Sequence, residues 1–365
     1  MSVTNAISGM TALGALQVMS GGLVPPDWAG ALAAAAVLLS SVNVAGGFLM
    51  TNRMLDLFRR PTDPSQATWL YGVPLVLSIG SYCAALATGL ATPALHACVA
   101  LASGLCCVAA IGGLSSQKTA RAGNALGVLG VSLGIAATLG ASAATTSSAL
   151  LAQKAAVLAL GGLGGLAFAS RCAITDLPQL VAAFHSLVGL AAAATGVVSY
   201  AAHPGSSALA VWAGVVIGAI TFTGSIVAWL KLNGKLSSKS LSLPGKDFVN
   251  VVLFGVTLAA LPAVLAGVLA PGLAALGAVS VAAALLGAHM TTAIGGADVP
   301  VVITVLNSLS GWALCAEGFV LSSTVLTIVG ALIGASGGLL SLIMCSASAC
   351  ERRRRDFQKT ETFWY

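Results

Sequence analysis

Apolar residues run along this chain in long blocks separated by short polar stretches. A helix that crosses the hydrocarbon core of a bilayer needs about 20 predominantly apolar residues. On that criterion the blocks predict helices over residues 2–19, 28–50, 70–90, 95–114, 122–143, 151–169, 178–200, 208–231, 248–270, 272–294, 298–320 and 323–346. The expectation is an all-α polytopic membrane protein, a bundle of about 12 transmembrane helices.

Composition supports the pattern: 58% of the 365 residues are hydrophobic and 7% are charged, against roughly 25% charged residues in a soluble chain. Aromatics are scarce and the 43 glycines are many, a mixture suited to helices whose small residues let backbones approach in lipid. If successive spans alternate in direction, one set of connections carries Arg53, Arg59, Arg60, Lys118, Arg121, Arg171, Lys231, Lys235, Lys239, Lys246, Arg352 to Arg355 and Lys359, and the other only Lys154. That asymmetry places the basic connections on the cytoplasmic or matrix side. The net charge of +6 is therefore read as a topological signal, with no nucleic-acid partner. The eight cysteines include no C-x-x-C and read as small buried hydrophobes, with no disulfide and no metal site. The segment from Val3 to Met19 is too polar for a signal-peptide core and lacks a basic n-region. The stretch 351–365, ERRRRDFQKTETFWY, reads as a basic anchor on the inner surface.

Polar and ionisable side chains at hydrocarbon depth are costly and call for an account one by one. His185 lies in DLPQLVAAFHSLVGLAAAATGVVSY, where Asp176 can cap the helix and Pro178 suits its first turn. Gly189, Ala192, Gly196 and Ser199 share its face, so the imidazole points at a neighbouring helix or a hydrated path. It can exchange protons at neutral pH or simply hold two helices together. In GGADVPVVITVLNSLSGWALCAEGF, Asp298 is placed to cap and Pro300 to open a helix whose one face carries Thr304, Asn307, Ser308, Gly311, Cys315 and Gly318. Asn307 can donate and accept hydrogen bonds, which suits either a water-filled path or interhelical polar contact. Asp298 is more simply a cap than a proton carrier. Glu317 is costly below the interface, and the sequence gives it no role. Ser40, Asn43 and Gly47 form a further polar stripe, and Gly330, Gly334 and Gly338 repeat a close-packing spacing. GGLGG at 161–165 lies inside a membrane helix and lacks the context of a nucleotide loop. His96 and His203 fall near outer span ends and read as solvated, and His289 follows no polar stripe.

Several strings resemble the proton-translocating nicotinamide nucleotide transhydrogenase family: TNAISG at 4–9, SSVNVAGGFLMTNRMLDLFRRPTDP at 40–64, GLSSQKTARAGNALG at 113–127, DLPQLVAAFHSLVGLAA at 176–192, LPGKD at 243–247 and GGADVPVVITVLNSLSGWALCAEGF at 295–319. The layout resembles the membrane domain of the single-chain mitochondrial type. Residues 1–60 resemble the end of the alpha portion, 61–95 form a joining segment with one membrane helix, 96–348 resemble the beta portion, and 349–365 form a basic tail. The resemblance implies inward proton flow coupled to hydride transfer from NADH to NADP(+). It places His185, Asn307 and Asp298 on the proton path. It also implies a homodimer in the lipid bilayer of the mitochondrial inner membrane, basic loops facing the matrix, with a bacterial plasma membrane as the alternative. NAD(H) and NADP(H) would be bound by nucleotide-binding domains in cis or on separate chains, and no cofactor by this chain. The family's soluble domains and first membrane helices are not found here, so this chain alone is expected not to transfer hydride. Two other readings remain: a secondary transporter or channel for a small solute, for which no clearly interrupted pair of spans is evident, and a non-catalytic fragment.

Overall fold

A computed structural model describes residues 2–59, 67–204, 207–241 and 245–361. Arg60, the first part of the joining segment (61–66), Leu243 and Pro244 of the LPGKD string, and the tail's last residues (362–365) lie outside the described residues, as do the side chains of the rest of the tail.

The apolar blocks fold as helices because no water is available to their backbone groups in lipid and only internal hydrogen bonds can satisfy them. In chain order the helices are α1 (Ser2–Ser8), α2 (Thr11–Val18), α3 (Trp28–Asp56), α4 (Gly72–Ala87), α5 (Pro93–Gly113), α6 (Ala120–Ala143), α7 (Ser148–Arg171), α8 (Leu177–Ala202), α9 (Ala208–Leu232), α10 (Lys246–Ala259), α11 (Leu261–Leu265), α12 (Leu269–Thr292), α13 (Val299–Val320) and α14 (Thr324–Glu361). Among the described residues there are 11 helical segments long and apolar enough to span a membrane. Several start where the side chains dictate: Asp27 accepts from Gly30 N at 2.7 Å to cap α3, Thr92 from Leu95 N at 3.2 Å ahead of Pro93 in α5, and Ser147 from Leu150 N at 3.3 Å in α7.

Two expected spans are interrupted. The helix read over 2–19 breaks between Ser8 and Thr11. Gly9, Met10, Ala12 and Leu13 donate three residues back, to Ala6, Ile7, Gly9 and Met10, the tighter pattern of a 3₁₀ turn. Gly9 is forced there by its neighbour, since a Cβ would stand 2.5 Å from Val44 Cγ2. The helix read over 248–270 breaks at Ala260, where Pro262 opens α11 without an N–H to continue the ladder.

The helices pack chiefly as α13 on α14, α8 on α9, α5 on α6 and α3 on α7, with α9 also against α12 and α13, and α3 against α8. The span containing α8 is 72% buried and that containing α13 61%, whereas those of α4 and α10 are 6% and 11%. Thus α8 and α13 are central and α4 and α10 peripheral. Large apolar side chains such as Val76, Phe168 and Phe248 point outward, as a lipid-facing surface requires. The short helices α1 and α2 are threaded into this core: Ala6, Ile7, Met10 and Leu13 pack with Leu314, Leu326, Val329 and Ile333.

The glycine-rich runs are packing surfaces. A Cβ at Gly161 would strike Leu38 O at 2.5 Å, and one at Gly165 Val42 O at 2.2 Å, so GGLGG is where α7 lies backbone to backbone on α3.

The basic ends of several helices gather on one side. Arg53 at the end of α3 donates to the Ala169 carbonyl near the end of α7, Arg121 at the start of α6 pairs with Asp56 at 2.7 Å, and Asn124 donates to Asn52 at 2.8 Å. Lys231 donates to the Thr292 carbonyl at 2.8 Å and to that of Ile294, closing the end of α12. Cations are favourable at such helix C-termini, where carbonyls lack intrahelical partners. Cys107 and Cys315 are buried as expected, but Cys83, Cys98 and Cys345 are exposed, being small enough to face lipid at little cost.

Candidate functional site

The two central helices open in the same way. A short 3₁₀ turn, Ile174–Asp176 or Gly296–Asp298, leads into α8 or α13, each with a proline in its first turn. Neither aspartate caps its helix: Asp176 and Asp298 have helical backbone angles and make no capping hydrogen bond through their side chains. The 3₁₀ turn has already consumed the geometry an N-cap needs. Asp176 instead accepts from Gln179 Nε2 at 3.3 Å. Nine residues beyond each aspartate comes the polar residue of interest, His185 on α8 and Asn307 on α13, each followed by serine. This D-x-P repeat is a signal in the sequence that hydropathy alone passes over.

His185 is 1% exposed and Asn307 2%. The imidazole bears on the backbone of Leu306, the residue before Asn307, so the two predicted residues are brought to one level between α8 and α13. Asn307 Nδ2 donates to Thr4 Oγ1 on α1 at 3.1 Å. From α3, Asn43 approaches the Gly9 break, its Nδ2 3.1 Å from where a Cβ on Gly9 would stand. Also from α3, Gly46 admits the Phe184 ring, which a Cβ would meet at 2.4 Å. Four helices therefore converge at this level: α1, α3, α8 and α13.

The polar face read along α13 divides in two. Ser308 Oγ donates to the Gly334 carbonyl at 2.6 Å, and Ser341 Oγ to Thr304 Oγ1 at 2.9 Å, so these residues bind α13 to α14. Asn307 turns the other way. Its Oδ1 is buried with no protein partner, as are Ser40 Oγ on α3 and Thr221 Oγ1 and Ser225 Oγ on α9. Such groups are ordinarily satisfied by buried water. Asp298 is not at the level of His185 and Asn307. It stands nine residues earlier, about 13 Å along the axis, beside a cleft of about 340 Å³. That cleft is also lined by Thr291, Val302 and Leu306. It thus leads from the basic side to the residue that bears on His185.

Glu317 is the residue whose place the sequence did not reveal. It lies ten residues beyond Asn307, 7% exposed, with neither carboxylate oxygen hydrogen-bonded to protein. His96 and His289 also find partners, Tyr82 at 2.7 Å and Asn250 at 2.8 Å; His96 is thus half-buried and bonded rather than solvated. His203 is exposed. On the basic side, burial and the nearby Asp176 push the Cys172 thiol up, with Arg53 opposing. Among the described residues no three His, Cys, Asp or Glu side chains are grouped to hold a metal.

Comparison with known proteins shows what this chain is similar to. The family model described as NAD(P) transhydrogenase beta subunit matches residues 96–352, and the 4TM region of mitochondrial-type pyridine nucleotide transhydrogenase matches residues 1–60. Two relatives, both NAD(P) transhydrogenase subunit beta of Rhodospirillum rubrum, are 39% identical over 256 residues, covering 67% of this chain and 54% of theirs. The chain spans about half the length of these curated relatives.

Proposed function

Because the chain belongs to the NAD(P) transhydrogenase beta subunit family, we propose that it is the proton-translocating membrane domain of such an enzyme. It couples inward proton flow to hydride transfer from NADH to NADP(+), the Re/Si-specific reaction, performed on NAD(H)- and NADP(H)-binding domains. The observation that carries this reading is His185: an imidazole 1% exposed at the meeting of four helices, level with Asn307, whose Oδ1 is buried without a protein partner. His185 takes and releases the proton, a role imidazole fills at neutral pH. Asn307, held by Thr4, offers its free acceptor to water beside it. Asp298 serves the inner cleft. The proton and the nucleotide act on one another by linkage, each shifting the other's affinity by the same factor, through the basic-side connections and the end of α14.

In this reading residues 1–60 supply the alpha-type helices, 61–95 join them to the beta-type helices of 96–348, and 349–365 form the basic tail. The domain works in a homodimer within the mitochondrial inner membrane, basic side to the matrix. The test is His185→Ala in a complete reconstituted enzyme, where proton-coupled transhydrogenation is expected to be abolished. Normal coupling in that variant would sink the proposal.

The breaks at Gly9–Met10 and Ala260 are features a solute transporter would also use. The second lies on a peripheral helix, away from the polar cluster. Solute uptake by this chain in proteoliposomes is the outcome that would favour the transporter reading.

A further inference from the structure

Asn307 and Glu317 project from the same helix at two levels. Asn307 on α13 bonds to Thr4 on α1, and ten residues further along each chain segment Glu317 lies against Gly14 of α2, its Oε1 2.1 Å from where a Cβ would stand. Only glycine leaves room for the carboxyl there. Across from it on α8, Thr195 is likewise ten residues beyond His185 and bears on the carboxyl without closing a hydrogen bond to either oxygen. The Thr195 hydroxyl donates to the Ala191 carbonyl at 2.9 Å, and while it does so its oxygen faces Glu317 as an acceptor. A protonated carboxyl supplies the missing donor, and a bare carboxylate does not.

The same carboxyl lines a small cavity of about 10 Å³ between α8, α9 and α13, together with Ala192, Gly196 and Ser199. This volume is at the threshold for one water molecule. These three α8 residues continue the face that carries His185, and Ser199 Oγ is itself buried without a protein partner. No cation pairs with Glu317 among the described residues. The outer parts of α2, α9 and α14 hold no titratable side chain. On α8 there are Tyr200, whose hydroxyl reaches the Val264 carbonyl at 3.2 Å, and exposed His203 at the end. Lys231 stands at the opposite end of α9, and Cys315 two residues away on α13.

Resting on the proton-translocation reading above, we infer that Glu317 is a second proton-bearing group of the path, loaded from the side opposite the basic connections before His185. A proton from outer water forms the carboxyl O–H, which donates to Thr195. It is then released to water along the Ala192–Gly196–Ser199 face toward His185, leaving the carboxylate to be reloaded. The two levels are about 15 Å apart at 1.5 Å per residue, so the transfer between them runs through water rather than directly.

Two measurements test this. First, the chain in liposomes, its non-basic face outward, is given a rapid external acid step while infrared difference spectra are recorded. Wild type and His185→Ala should gain a carboxylic acid carbonyl band, Glu317→Asp should show it shifted, and Glu317→Gln should lack it. Second, in the complete enzyme Glu317→Gln should lower the proton-coupled rate by roughly 100-fold, the low end of what a positioned proton-transfer group supplies, and Glu317→Asp should recover part of it. A band that persists unchanged in Glu317→Gln, or wild-type coupling in that variant while His185→Ala is inactive, overturns the role of Glu317 and leaves the parent reading standing. Normal coupling in His185→Ala overturns both. If Glu317→Gln does not fold, the Asp variant decides: an unshifted band refutes the inference.

Discussion

Gly330, Gly334 and Gly338 share one spacing on α14, yet the structure separates their roles. At Gly330 an added Cβ would stand 2.4 Å from Cys315 N, 2.7 Å from Gly311 O and 2.9 Å from Cys315 Cα, all of them backbone of α13. No rotamer change relieves such a contact, and ordinary van der Waals distance requires the two helices to part by about 1 Å, an overpacking that costs about 1–3 kcal/mol. The Ser308 bond to the Gly334 carbonyl, 2.6 Å in length, stretches with it, and such interhelical bonds are worth about 0.6 kcal/mol in a membrane. At Gly338 the nearest atom to an added Cβ is Ser308 Oγ at 3.6 Å, an ordinary contact. Both substitutions gain the same helix propensity, about 1 kcal/mol for glycine to alanine, so that term cancels in the comparison. Gly330→Ala should therefore be less stable than Gly338→Ala by about 1–3 kcal/mol. Reversible unfolding of both variants by SDS in mixed micelles measures the difference directly. Equal stability of the two would refute the argument that backbone approach, rather than the repeated spacing, makes Gly330 necessary.

Lys231→Met should remove two charge-assisted bonds to the Thr292 and Ile294 carbonyls and destabilise the fold by roughly 2–4 kcal/mol, each such bond being worth about 1.5–3 and partly replaced by water; the same micelle unfolding checks it, and an unchanged midpoint contradicts it. The Asn307–Thr4 bond should give a coupling of about 0.6 kcal/mol in a double-mutant cycle of Asn307→Ala and Thr4→Val, and strictly additive stabilities would show that α1 is not held by that contact. Together with the His185 and Glu317 variants, these measurements separate what binds the helices from what moves protons.

The ends of most helices were legible from hydropathy, because a span in lipid must be apolar over its whole length. What hydropathy cannot register is a break that leaves the apolar run intact. The span over 2–19 reads as continuous, and the three-residue hydrogen-bond pattern from Gly9 to Leu13 that interrupts it leaves no mark on hydropathy. His185 and Asn307 were legible as polar residues at depth, but not their meeting, which depends on α8 and α13 entering at one level from matching 3₁₀ turns. The two aspartates were misread as caps because their residue type and position fit a cap, whereas their backbone conformation does not. Glu317 was visible only as a cost. Its surroundings come from α2 and α8, more than 100 residues away in sequence, and no local pattern points to them.

Arg53 and Lys231 serve twice, as orienting charges and as the finish of another helix's C-terminus. This has a consequence for how the chain is made. The carbonyl that Arg53 meets lies 116 residues downstream, and those that Lys231 meets lie 61 and 63 residues downstream. During synthesis each cation reaches the membrane surface long before its partner exists, so it holds its span in place while solvated by water and lipid headgroups. It is drawn into the protein only when α7 or α12 arrives. Orientation is thus set early by charges that later bond to the protein, Lys231 becoming buried and Arg53 half-buried, and reversing a late helix would strand an early one with its charge unused.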